Sequence, residues 1–82
     1  MRHTRLSKIP AKYRKDVQEE LRVISRTIQD RRKSLDLTQE ELAEKLNIAP
    51  TTLQFIEQCR RYPSFPMFVY ICRILQIEIR LS

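Results

Sequence analysis

Apolar residues recur every three or four positions at Tyr13, Val17, Leu21, Ile24 and Ile28, the spacing that lines up side chains on one face of an α-helix. The pattern runs from Ala11 to Lys33 or Ser34, which predicts one helix about 36 Å long. A second stripe follows at Leu42, Ala43 and Leu46. Thr38 is placed to cap it, and Glu41 three residues later completes a capping box. Asn47 comes after the last apolar residue, where a left-handed conformation ends a helix and Asn is tolerated second only to Gly. Ile48 sits inside the turn, and Pro50 suits the first position of a new helix. On that third helix Leu53, Ile56 and Ala49 are expected to face inward. Thr51, Thr52, Gln54, Phe55 and Gln58 are left for the outer surface.

Ser64 is expected to cap a fourth helix with Pro66 in its first turn. Phe65, Phe68, Ile71, Cys72 and Leu75 form its predicted inward stripe, leaving Val69, Tyr70 and Ile74 on faces that a small core does not need. The chain then changes period. Ile77, Ile79 and Leu81 alternate with Gln76, Glu78 and Arg80, which predicts a short strand at 76–82. No other segment of the sequence offers it a partner strand.

Two short helices joined by a tight turn, with a small residue at the crossing, resemble the Cro/repressor-type (XRE) helix-turn-helix regulators. The resemblance is carried by Leu37-Thr38-Gln39, Leu42-Ala43, Ile48, Ile56-Glu57 and Pro63-Ser64, and extends from about Arg22 to Ile77. Where the family has glycine, this chain has Asn47, Cys59 and Gln76, and it contains no glycine at all. The family's serine before the recognition helix is Ala49. Cys59 is expected to be strained if its position keeps a left-handed backbone. The resemblance implies an all-α, lambda-repressor-like bundle of four or so helices, here ending in one C-terminal strand. It divides into a basic arm (1–10), a helix-turn-helix domain (11–75) and the strand (76–82).

Charge sharpens the picture. The net charge is +6, yet Arg2, Arg5, Lys8, Lys12, Arg14 and Lys15 precede every acidic residue, and the remaining basic and acidic residues cancel. The excess is therefore an N-terminal arm. Such an arm lies along phosphates or in a groove, docks on a protein partner, or is a solvated tail. Tyr13 and Val17 lie beyond what the resembled domain needs, and either fold over this core or reach another subunit. The longest apolar run, Met67 to Cys72, is far too short to span a membrane, and the N-terminus lacks a signal peptide's apolar segment. Cys59, Cys72 and His3 make neither a disulfide framework nor a zinc site. A reducing cytoplasm, no cofactor and no metal are expected. An enzyme is not, for want of a carboxylate pair, an activated nucleophile or a Gly-rich phosphate loop.

DNA recognition needs phosphate contacts to position a protein and base contacts to specify sequence. The resemblance makes Gln39 the phosphate-contacting residue at the start of the bracing helix, where the helix N-terminus also attracts anions. Gln58, Arg60 and Arg61 join it, Arg60 and Arg61 being otherwise a solvated loop. Base readout falls to Pro50, Thr51, Thr52, Gln54 and Phe55: Gln can pair with adenine, and Thr or Phe can touch the thymine methyl. Phe55 can alternatively complete the core. The set lacks the Arg that most often reads guanine, so the expectation is weak or A·T-leaning readout, or specificity shared with the arm and with DNA shape. Glu57 is expected to be structural, because a carboxylate repels phosphate. Val69, Tyr70, Ile74, Ile77, Ile79 and Leu81 are the expected dimer interface, the two C-terminal strands pairing about a two-fold axis. The strand resembles that of HipB-like antitoxins. The expected function is a homodimeric regulator of double-stranded DNA with a near-palindromic operator, either a repressor or an antitoxin that pairs with a toxin protein and represses its own operon. The competing reading is a protein-binding module that keeps the fold and reads no DNA.

Overall fold

The structure, a computed structural model, describes residues 6–80. Four helices follow one another as α1 (Ala11–Ser34), α2 (Gln39–Leu46), α3 (Pro50–Glu57) and α4 (Phe65–Leu75). The 24 residues of α1 set the long dimension of a particle measuring 38 × 28 × 21 Å. Pro10 precedes α1, and a 3-10 turn at Leu6–Lys8 precedes Pro10. Arg14 straps that turn to the helix: its Nη2 donates to the Ile9 carbonyl at 2.9 Å and to the Ser7 carbonyl at 3.4 Å.

The helix starts follow the sequence. Thr38 Oγ1 accepts from the Glu41 N–H at 3.1 Å, and the Glu41 carboxylate accepts from the Thr38 N–H at 2.9 Å, completing the expected capping box. Ser64 Oγ accepts from the Met67 N–H at 3.2 Å. Ala49 offers no side-chain cap, and Pro50 at the first position of α3 lessens the loss because it has no N–H to satisfy.

All four helices end the same way. Asp36, Asn47, Cys59 and Gln76 take φ between 56° and 59°, the left-handed region that normally selects glycine. Each donates its N–H to a carbonyl three residues back, and the next residue donates five residues back: Leu37 to Arg32, Ile48 to Ala43, Arg60 to Phe55 and Ile77 to Cys72. A glycine-free chain thus uses four glycine-like closures. Asn and Asp tolerate this backbone through their short polar side chains. Cys59 and Gln76 lack that relief and carry a strain of about 1–2 kcal/mol each.

Ile28, Leu42, Ala43, Leu46, Leu53, Ile56, Ile71 and Leu75 form the core. Ala43 is fully buried where α2 meets its neighbours, the small residue that a close helix crossing requires. Arg31 Nε donates to the Leu75 carbonyl at 2.8 Å, tying the end of α1 to the end of α4. Three residues expected to face inward do not: Ile24 on α1, Ala49 before α3 and Phe65 at the start of α4 are exposed, Phe65 by 75%. Tyr13, left open between covering this core and reaching another subunit, is exposed too. Tyr13 lies on the stretch of α1 that overhangs the bundle. At the first position of a helix the Cα–Cβ bond tilts toward the N-terminus, which carries the Phe65 side chain past the core.

The expected C-terminal strand is absent. Gln76 closes α4, Ile77 folds back to bond Cys72 and packs against the core, and residues 77–80 are neither helix nor strand. There is no strand among the described residues. The physical reason is pairing: a strand exists through its ladder with another strand, and one chain supplies only one alternating segment.

Candidate nucleic-acid interface

The site is organised by an ion pair inside the bundle. Arg32, in the last turn of α1, donates from Nε to Glu57 Oε2 at 2.7 Å and from Nη2 to Oε1 at 3.0 Å. Its third guanidinium nitrogen, Nη1, donates to the Leu37 carbonyl at 2.7 Å, just before α2. Gln39 Nε2 donates to the same Glu57 carboxylate at 3.0 Å. The Arg32 and Glu57 side chains are 8% and 1% exposed. No buried side-chain N or O lacks a partner among the described residues. Three helices therefore meet at one carboxylate, and Gln39 is held by an amide hydrogen at the first position of α2. Its second amide hydrogen and its carbonyl oxygen remain for a ligand. Glu57 has the structural role expected for it.

Two carboxylates modify the field there. Glu40 and Glu41 lie exposed in the first turn of α2, where they favour the helix macrodipole. Bonding to the Thr38 backbone N–H and hydroxyl holds Glu41 below the usual glutamate range. The positive end of α2 is thus already offset, and an approaching phosphate meets the Gln39 side chain rather than an empty anion cradle.

On α3, Leu53, Ile56 and Glu57 turn inward, and Pro50, Thr51, Gln54, Phe55 and Gln58 lie exposed, with Thr52 half-buried. Phe55 does not complete the core. Its ring lies 5.8 Å from the Arg60 guanidinium, a cation–π distance. Its carbonyl accepts from the Arg60 and Arg61 N–H groups at 2.8 and 3.2 Å. The left-handed turn at Cys59 brings both arginines, exposed, back alongside the end of α3. Behind them an open groove of about 690 Å³ is lined by Leu6, Ile48, Thr52, Ile56, Arg60, Arg61 and Tyr62 among others. Burial pushes the Tyr62 phenol up, as does the neighbouring Cys59, with Arg22 opposing them.

Lys8 is exposed on the turn whose Leu6 lines that groove, whereas Arg2 and Arg5 of the arm lie outside the described residues. Of the expected interface residues, Val69, Tyr70 and Ile79 are exposed, and Ile74 and Ile77 pack partly against the core. Leu81 lies outside the described residues. The Tyr70 hydroxyl donates to the Lys45 carbonyl at 3.2 Å. Ile24 and Ile79 flank an apolar groove between α1 and α4 that Phe68 and Cys72 also line. Burial raises the Cys72 thiol above its ordinary range. Among the described residues no group of side chains could hold a metal ion, and no helix is long and apolar enough to cross a membrane.

Arg32 was missed by sequence reasoning. The signal was present: it follows Ile28 by four residues on the core-facing stripe of α1, where an apolar side chain belongs. A charge on a core stripe calls for a buried partner, and Glu57 is the acid on the inward face of α3.

A bracing helix, a tight left-handed turn and a second helix exposing polar side chains define a helix-turn-helix DNA-binding domain. The helix-turn-helix family model HTH_3 matches residues 28–81, and the chain belongs to that family, which is of the XRE type. Family membership carries DNA-binding transcriptional regulation as the class of function. No curated protein and no solved structure matches the chain.

Proposed function

We propose that the protein is a sequence-specific DNA-binding repressor that acts as a homodimer on a near-palindromic operator. One observation carries the reading: the α3 face exposing Thr51, Gln54 and Phe55 is continuous with Arg60 and Arg61 and fixed to Gln39 through Glu57. Phosphate-directed groups thereby flank base-directed ones, the division of labour that operator recognition requires. The dimer is supported by the apolar surface of Val69 and Ile79. Two copies related by a two-fold axis set their α3 helices about one DNA turn apart. The alternation of the C-terminal tail supports pairing between two copies and, with it, the antitoxin subtype. Co-purification of a toxin encoded beside this gene tests that subtype. The protein is read as a non-catalytic, cytoplasmic DNA ligand.

Selection of duplexes from a random library tests the core of the proposal. The chain should enrich a near-palindromic sequence. Gln39→Ala should weaken binding to all sequences alike, and Gln54→Ala or Thr51→Ala should shift the preferred base by about 1–3 kcal/mol. The competing reading, a protein-binding module, draws on the two exposed glutamates at α2 and the absence of a cation on α3. It wins if no duplex is enriched and affinity does not depend on salt.

A further inference from the structure

The N-terminal half of α1 precedes the family match and has a charge pattern of its own. Lys15 and Arg22, seven residues or about two turns apart, share one flank of the helix. Asp16 and Glu20 lie on the opposite flank with Tyr13 and Ile24, where the Lys12 ammonium also rests 4.9 Å from the Tyr13 ring. The basic flank is concave: Arg14, Lys15, Gln18, Glu19 and Arg22 line one shallow cleft, with Glu19 its single acid. Arg14 draws the Leu6–Lys8 turn against α1, and Leu6 reaches the groove shared with Thr52, Arg60 and Arg61. Arg22 is close enough to Tyr62, the neighbour of Arg61, to act on its phenol. The cleft and the loop after the recognition helix therefore belong to one side of the molecule.

We propose that Lys15 and Arg22 are a second phosphate-gripping element, which carries the contact surface from Arg60 and Arg61 onto α1 and along the backbone of the DNA flanking the bases that α3 reads. The inference rests on the DNA-binding reading above. Lys15 and Arg22 are spaced about 10 Å along the helix, the length of about three base pairs at 3.4 Å each. The occupant is a polyanion of regular spacing, since the cleft presents three cations and one amide against a single carboxylate. Its contribution is indifferent to base sequence, because phosphates carry none.

The test is a salt series on the full chain with a duplex obtained by selection, comparing wild type, Lys15→Gln with Arg22→Gln, and a control of equal charge change, Lys45→Gln with Arg73→Gln, on α2 and α4. Each lost phosphate contact lowers the slope of log affinity against log salt by about 0.9. The first double variant should therefore lose about 1.8 in slope, and its deficit against wild type should be about twelvefold larger at 50 mM than at 200 mM salt. Its hydroxyl-radical footprint should also shorten by about three base pairs, with the selected sequence unchanged. Lys15→Arg with Arg22→Lys should keep the wild-type slope, and the control should leave it nearly unmoved. A wild-type slope in the Gln variants, or an equal drop in the control, overturns the inference while leaving the DNA-binding reading intact. A wild type that binds no duplex at low salt overturns both.

Discussion

Removing Glu57 should separate what the buried ion pair does for folding from what it does for binding. Glu57→Ala leaves the Arg32 guanidinium, 8% exposed, with the Leu37 carbonyl as its remaining partner. Breaking a buried pair from one side costs about 3–5 kcal/mol. A chain of 82 residues has a total stability of roughly 4–12 kcal/mol, so about a quarter or more is at stake. With an unfolding entropy of about 2.1 cal/mol/K per residue, each kcal/mol moves the midpoint by about 6 °C, giving a fall of roughly 18–30 °C. Replacing both partners, Arg32→Met with Glu57→Leu, removes the buried charge altogether and should recover most of that loss. It leaves the Leu37 carbonyl short of a donor, at about 1–3 kcal/mol if the carbonyl stays dry. Thermal and urea unfolding followed by circular dichroism measure these changes. DNA affinity should not recover with stability, because Gln39 has lost the carboxylate that orients it. A Glu57→Ala loss below about 1 kcal/mol would refute the buried-pair argument. A stable double variant with wild-type affinity would refute the positioning of Gln39.

Cys59→Gly and Gln76→Gly should each raise stability by about 1 kcal/mol, because they relieve left-handed strain at helix closures; a lowered urea midpoint would contradict the closure argument. The depressed Glu41 carboxyl contributes stability that is present above its unfolded pKa and lost as pH falls through its lower folded value. Acid titration of Glu41→Gln should show a shallower decline across that window than wild type, and parallel curves would remove the capping box from the account. Val69→Glu with Ile79→Glu places charge on the exposed apolar surface and should yield monomers in sedimentation with little change in melting temperature. A monomeric wild type at high concentration would sink the homodimer.

Local physics made most of the fold legible. The Thr38–Glu41 box, the Ser64 cap, Pro50 at a helix start and Asn47 at a helix end involve residues within a few positions of one another. Their hydrogen bonds therefore follow from sequence spacing alone. The stripes of α2 and α3 and the buried end of α4 were readable for the same reason: on a short helix the spacing of apolar side chains fixes the face that must leave water. Readings failed where an element's period extended beyond its neighbours. The stripe of α1 includes Ile24, but the bundle leaves it exposed, and exposure follows the bundle. The alternation after Gln76 has the period of a strand, yet Ile77 is drawn back onto the core by the closure of α4.

By itself the sequence determined the helix boundaries, the turn, the inward faces of α2 and α3, and an excess of positive charge confined to one end. Each depends on contacts between near neighbours or on composition, which the order of residues specifies directly. Only the tertiary structure decided that Arg32, Glu57, Gln39 and the Leu37 carbonyl converge, with Arg32 and Glu57 25 positions apart. It also decided that Phe55 lies under Arg60 rather than in the core, and that the basic flank of α1 shares a side with Arg60 and Arg61. Those outcomes depend on the angles at which helices cross and on which surfaces the crossing leaves to water, quantities to which no single segment of the chain has access.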